Sequence, residues 1–195
     1  MTDAGEQPED IDPAERLAAN AAVHKNAWSE TIDEMKASAA EYEEDGWESH
    51  YVAALDTAPI SADQARRSRG DYGWGLVHTL PDNFTDAFAD ALERGSFPEY
   101  DVFRRLVDGR VFHLIVLRDP DERIALFVAG NYRLQEAEGC IATARREGEV
   151  HTWLAATDGT VVGTVRHGTP SKFFPRWDDF ESFFGRDEDG TGPGA

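Results

Sequence analysis

Three runs of strand-forming residues follow one another with only two short polar breaks. They are Tyr100–Val107, Arg110–Leu117 and Arg123–Ala129, separated by Asp108-Gly109 and Asp119-Pro120-Asp121, with Gly130 closing the third. Asp-Gly between two such runs predicts a type I′ hairpin, because that turn needs positive φ at both central residues. A two-residue loop also sets the register. Val107 then faces Arg110, Phe103 faces Leu114, and Arg104 faces His113. One side of this ribbon carries Tyr100, Val102, Arg104, Leu106, Val111, His113, Ile115 and Leu117. The other carries Phe103, Phe112, Leu114 and Val116 beside Asp101 and Arg105. Both sides are apolar enough to require cover. Helices would supply one cover. The Phe173–Phe184 segment, the long first helix or a second copy of the chain would supply the other.

Helical periodicity dominates the N-terminal quarter. Asp12-Pro13-Ala14-Glu15 reads as an N-cap, a proline at N1 and a glutamate completing a capping box. Trp28, Ile32, Met35, Ala39 and Tyr42 form one apolar stripe, Gly46 is the expected left-handed cap, and a break is allowed near Asn20. Trp47–Leu55 and Gly73–Leu80 read as strands. Thr57–Asp71, with Pro59, Gly70, Arg66, Arg67 and Arg69, reads as a loop. Pro81-Asp82-Asn83 starts a helix with Phe84, Phe88, Ala91 and Leu92 on one face, ending at Gly95. Another helix runs from Leu134 to Glu147 with Leu134, Ala137, Ile141 and Ala144 as its stripe. Gly148 is its cap, and Gly139 implies close packing on a strand. Val150–Thr157 and Thr160–His167 form a second Asp-Gly hairpin, which places His151 opposite Arg166 with Trp153 beside them.

The order of these elements predicts an α+β fold: a mainly antiparallel sheet of five to seven strands, helices packed on it, and a long N-terminal helix. Residues 13–185 form a single domain in this reading. Residues 1–12 and 186–195 are acidic tails without periodicity and are expected to be disordered. The last ordered segment carries Phe173, Phe174, Trp177, Phe180, Phe183 and Phe184, in helical turns begun at Thr169-Pro170 and broken at Pro175.

Charge changes the picture most. Among 195 residues, 38 are acidic and 19 basic, a net charge of −19, and only Lys25, Lys36 and Lys172 are lysines. Many carboxylates and few lysines suit a cytoplasm at multimolar salt, where the Debye length is only about 3 Å and self-repulsion is screened. The same charge argues against nucleic acid or anionic lipid as a partner. Met1–Asp12 has no basic residue and no apolar run, unlike a secretory signal. No apolar run is long enough to span a bilayer. The single Cys140 fits a reducing compartment. The expected location is cytoplasmic.

Candidate chemistry is sparse. Two hairpins each set a histidine opposite an arginine, so Arg104, His113, His151, Trp153 and Arg166 are candidate ligands for a carboxylate or phosphate. As polar cross-strand pairs they are equally ordinary units of a sheet surface. Gly70, Gly73 and Gly75 spell a reversed phosphate-loop pattern but precede a strand rather than a helix. No histidine pair has metal-ligand spacing on a helix, although strands could gather His78, His113 and His151. Cys140 has no adjacent base, and no serine lies in a nucleophile elbow. No catalytic residue, metal site or cofactor is predicted. The leading expectation is a non-catalytic interaction module acting as a homo-oligomer or with a protein partner, and Phe173, Phe174, Trp177, Phe180, Phe183 and Phe184 are its candidate contact residues. A regulatory domain binding a small anion is the alternative. An enzyme of unidentified class comes third.

Several phrases are similar to an uncharacterised haloarchaeal protein family classed as a domain of unknown function. They are Glu43-Glu44-Asp45-Gly46-Trp47, Phe97-Pro98-Glu99-Tyr100, Asp108-Gly109-Arg110-Val111-Phe112, Val128-Ala129-Gly130 with Tyr132, and Pro170 with Lys172-Phe173-Phe174. The likeness spans roughly Trp28 to Phe174. It implies a haloarchaeal, cytoplasmic origin and carries no activity or functional residues.

Overall fold

The computed structural model describes residues 13–67 and 72–185. The elements are α1 (Pro13–Glu44), β1 (Glu48–Ala53), β2 (Asp56–Ile60), α2 (Ala62–Arg67), β3 (Gly75–Thr79), α3 (Asp82–Arg94), β4 (Glu99–Val107), β5 (Arg110–Asp119), β6 (Ile124–Arg133), α4 (Glu138–Glu147), β7 (Val150–Ala155), β8 (Val161–His167) and α5 (Phe180–Phe184). Short 3₁₀ turns occupy Leu134–Ala137 and Pro170–Lys172. The Asp12 cap and both predicted tails lie outside the described residues.

The chain is α+β with a long first helix, but the expected single, mainly antiparallel sheet of five to seven strands is two mixed sheets of four. One has the order β1-β6-β5-β4 and the other β2-β3-β7-β8. Each contains one parallel pair, β1 with β6 and β3 with β7. Hairpin signals are local and report only neighbours in sequence, so they could not reveal these two long-range parallel pairings. The chain passes from one sheet to the other within two residues. Ala54 N donates to Ala129 O of the first sheet, and Leu55 N donates to Thr79 O of the second.

The predicted loop over Thr57–Asp71 contains β2 and α2. Pro59 argued against a strand, but β2 is an edge of its sheet, where a missing N–H is tolerated. Gly139 does pack closely, yet its neighbour is Ser61, just past the end of β2: a Cβ there would lie 3.1 Å from the Ser61 Cβ. The predicted third strand does not stop at Gly130 but continues to Arg133. Helix α1 runs through Asn20 without a break.

The first hairpin forms as expected. Asp108 and Gly109 have φ of 46° and 74°, and Arg104 pairs with His113. The second reaches the expected His151–Arg166 pairing by a different route. Its loop is closed by Ala156 N to Thr160 O, so it has three residues rather than two, and only Gly159 has positive φ. An extra residue in β8 then shifts the register between Leu154 and Ala155. The two departures cancel.

Packing follows from the two apolar faces of the β5–β6 ribbon. Helix α1 lays the predicted stripe, Trp28, Ile32, Met35, Ala39 and Tyr42, on Leu114, Val116, Ala125, Phe127 and Ala129. The opposite face, with Val111, Ile115, Leu117, Leu126 and Val128, meets Leu76, Val150 and Leu154 of the second sheet. Phe88 and Ala91 of α3, Ile141 and Ala144 of α4, and Phe173, Phe174 and Phe180 close this main core. Gly46 and Gly148 take the left-handed conformation that ends α1 and α4.

Candidate functional site

The two histidine–arginine couples do not form one cleft. They lie on different sheets, and their side chains take separate partners. Arg104 turns to the main chain of the C-terminal segment, donating to the carbonyls of Lys172 (2.9 Å) and Ser171 (3.3 Å). His113 is buried. Arg166 pairs with Glu149, and the His151 ring stands edge-on to Trp74 at 5.1 Å. Trp153 donates from Nε1 to the Trp74 carbonyl. Of the six candidate aromatics, Phe173, Phe174 and Phe180 are buried, while Trp177 and Phe184 pack against the core from its margin. Phe183 is 43 % exposed.

The buried histidines instead form a seam between the sheets. His78 Nε2 and His113 Nε2 lie 2.8 Å apart, with the rings nearly perpendicular. They meet because Gly130, the cross-strand partner of His113, has no side chain. A Cβ at Gly130 would sit 2.4 Å from Thr57 Oγ1 and 2.7 Å from His113 Nε2. A third buried ring, His167, shares a hydrogen with Thr152 Oγ1 at 2.9 Å and packs on Tyr100 and Phe173. Burial lowers the pKa of all three, to about 4 for His78, well below the ordinary value for His113 and to about 3 for His167. At neutral pH the His78–His113 contact is therefore a neutral donor–acceptor pair, the two rings holding opposite tautomers. The sequence allowed strands to gather His78, His113 and His151; the fold joins His78 and His113 and leaves His151 outside. Cys140 donates to the Gly75 carbonyl at 3.5 Å, and burial pushes its thiol up to about 12, so it stays protonated at neutral pH.

A cleft of about 500 Å³ opens beneath the N-terminal part of α1. Leu17, Ala21 and His24 form its roof, Asp108, Gly109 and Arg110 its floor, and Arg133 and Phe183 its sides. Leu17 is 73 % exposed. Arg110 is held by Asn131 Oδ1 rather than by a carboxylate, and Arg133 has only a 4.0 Å approach to Glu136. No acidic residue occurs between Arg16 and Ser29. The cleft is thus a weakly basic, part-apolar recess on a strongly acidic protein.

The remaining feature is a strand edge. Two open sheets leave four edges, and unpaired edges invite another strand. β1 has six residues and is tied to α3 by the Arg94–Glu48 ion pair. β2 contains Pro59, and β8 is bulged. β4 has nine residues, no proline and no bulge. The two-residue turn makes Val107 and Arg110 a hydrogen-bonded pair, so odd-numbered residues of β4 bond to β5. The main-chain groups of Val102, Arg104 and Leu106 then point out of the sheet. Phe103 is 57 % exposed and Leu106 36 % exposed along this edge. Sequence alone could not find it, because which strand lies outermost depends on pairings far apart in the chain.

A family model described as a family of unknown function (DUF7529) matches residues 14–175. No curated protein and no solved structure matches the chain.

Proposed function

The chain belongs to this family of unknown function, and from that premise we propose that it is a non-catalytic interaction module that self-associates in a salt-rich haloarchaeal cytoplasm. The observation that carries this reading is the long β4 edge, free of proline and bulge, with Phe103 and Leu106 exposed beside it. A net charge of −19 on each copy opposes association in dilute buffer. Multimolar salt removes that opposition, so association and salt go together. The aromatic phrase around Phe173-Phe174 serves the core in this reading, and the edge serves the partner.

Light scattering in about 3 M KCl tests it. The wild type is expected as a dimer that dissociates as salt is lowered. Val102→Pro removes an outward N–H at an edge position, where proline is tolerated. This variant is expected to be monomeric with an unchanged circular dichroism spectrum. A wild type that stays monomeric in concentrated salt overturns the reading.

The cleft beneath α1 favours a second reading, a small amphipathic anion bound there. Its carboxylate would meet Arg110 and Arg133 and its apolar part Leu17, Ala21 and Phe183. Titration with octanoate should show saturable binding that Arg110→Ala weakens about tenfold, the usual worth of one charge-assisted hydrogen bond. Absence of binding, or binding indifferent to Arg110, ends this second reading.

A further inference from the structure

We infer that the strand docking on β4 is β4 of a second copy, antiparallel, with the two-fold axis passing through Phe103. This rests on the self-association reading and specifies its partner and register. Three observations converge on it. Phe103 is the midpoint of a strand running from Glu99 to Val107, so a register centred there pairs every residue of the edge. The outward hydrogen-bonding residues are even-numbered, so Val102 exchanges bonds with Arg104 of the second copy, and Tyr100 with Leu106 of the second copy. Phe103 falls in a non-hydrogen-bonded pair with its own symmetry mate, where side chains approach most closely.

The side chains fit the same register. On the face shared with α1, the two Phe103 rings pack together and Asp101 lies opposite Arg105 of the other copy, once on each side of the axis. Opposite charges and aromatic pairs are the favourable cross-strand combinations. Asp101 already pairs with Arg118 at 2.7 Å, and Arg105 with Glu30 of α1. The dimer would therefore extend two separate ion pairs into one alternating row, Arg118, Asp101, Arg105 and Glu30. Neighbouring registers are worse. Centring on Arg104 or Arg105 sets an arginine against its own copy, and like charges directly opposite are destabilising. Centring on Val102 sets Phe103 against Asp101 and leaves Leu106 unpaired. Lys172 Nζ, 3.4 Å from the Tyr100 carbonyl, has to release it to the Leu106 N–H of the other copy.

Cysteine cross-linking under mild oxidation in concentrated salt reads the register directly. A non-hydrogen-bonded pair holds Cα atoms about 4.5 Å apart, within disulfide range. Native Cys140 is buried with a raised pKa and does not compete. Phe103→Cys alone should form a covalent dimer. Asp101→Cys and Arg105→Cys should each fail alone and cross-link when mixed. Phe103 is exposed in the single chain, so its variant should keep the wild-type circular dichroism spectrum. If the wild type is a dimer by scattering but Phe103→Cys does not cross-link, or Arg105→Cys cross-links with itself, the register is wrong while self-association stands. A monomeric wild type overturns both.

Discussion

Lowering the pH from 7 to 5 in concentrated salt should cost several kcal/mol of stability, chiefly through three buried histidines. His78 and His167 have folded pKa values of about 4 and about 3, and His113 also lies well below the ordinary value, all chiefly because burial disfavours the imidazolium. In the unfolded chain each titrates near 6.5. Between these values the unfolded state binds more protons, so stability rises with pH across the window. The contribution is complete above about pH 6.5 and falls as the pH drops towards the folded values. For His78 the full difference is on the order of 3 kcal/mol, and about 2 kcal/mol of it is gone by pH 5. Carboxylates held low in the fold, such as Glu48 beside Arg94 and Asp119 beneath the Ser96 and Glu122 amides, act in the same direction but only below about pH 4.5. Urea unfolding at pH 7, 6 and 5 therefore isolates the histidines. A stability curve that is flat over that interval would contradict the buried neutral seam. The imidazole resonances of His78 and His167 should likewise not titrate above pH 5.

Gly75→Ala should be the most damaging glycine-to-alanine change among the described residues, at a cost of roughly 3–5 kcal/mol. Two effects add. Gly75 has φ of +130°, a conformation that L side chains avoid, and such strain costs about 1–3 kcal/mol. The new Cβ would also lie 2.1 Å from the main-chain oxygen of His151, so β3 must move away from β7 or lose its pairing. Overpacking of that kind adds about 1–3 kcal/mol. Gly109→Ala is the control. Its φ is +74°, but no atom lies within 4 Å of the added methyl, so only about 1–2 kcal/mol of backbone strain remains. Chemical unfolding of the two variants separates clash from conformation. A Gly75→Ala protein as stable as Gly109→Ala would show that β3 and β7 are not held this closely. Two of the three glycines that spell a reversed phosphate-loop pattern in the sequence thus acquire a packing explanation, while Gly70 lies outside the described residues. Gly75 lets β3 meet His151, and Gly73 lies against the Trp153 ring, where a Cβ would come within 3.0 Å.

What was legible along the chain is what nearest neighbours decide. The Asp108-Gly109 turn, the stripe from Trp28 to Tyr42 and the caps at Gly46 and Gly148 depend on φ preferences and on spacing over a few residues, and each appears in the fold. The two apolar faces of the β4–β5 ribbon were also legible, and with them the need for cover on both sides. The division into two sheets was not. It is set by β1 pairing with β6 and β3 with β7, across more than seventy residues each, and by a two-residue crossing at Ala54 and Leu55 that carries no special composition. β2 was missed because an edge position excuses a proline that a central strand would not.

The candidate sites divide along the same line. Cross-strand register is local, so the sequence by itself determined that Arg104 stands opposite His113; His151 stands opposite Arg166 only because a longer loop and a bulge in β8 offset each other. Which way each side chain then turns depends on what the other sheet and the C-terminal segment place nearby. His113 turns inward to His78 because Gly130 leaves it room, and Arg104 turns to the Lys172 carbonyl. Charge and composition, being sums over the chain, were complete without coordinates. The openness of the β4 edge, like the histidine seam, was decided only in three dimensions, because which strand lies outermost and which rings meet across a sandwich depend on contacts between residues far apart in the chain.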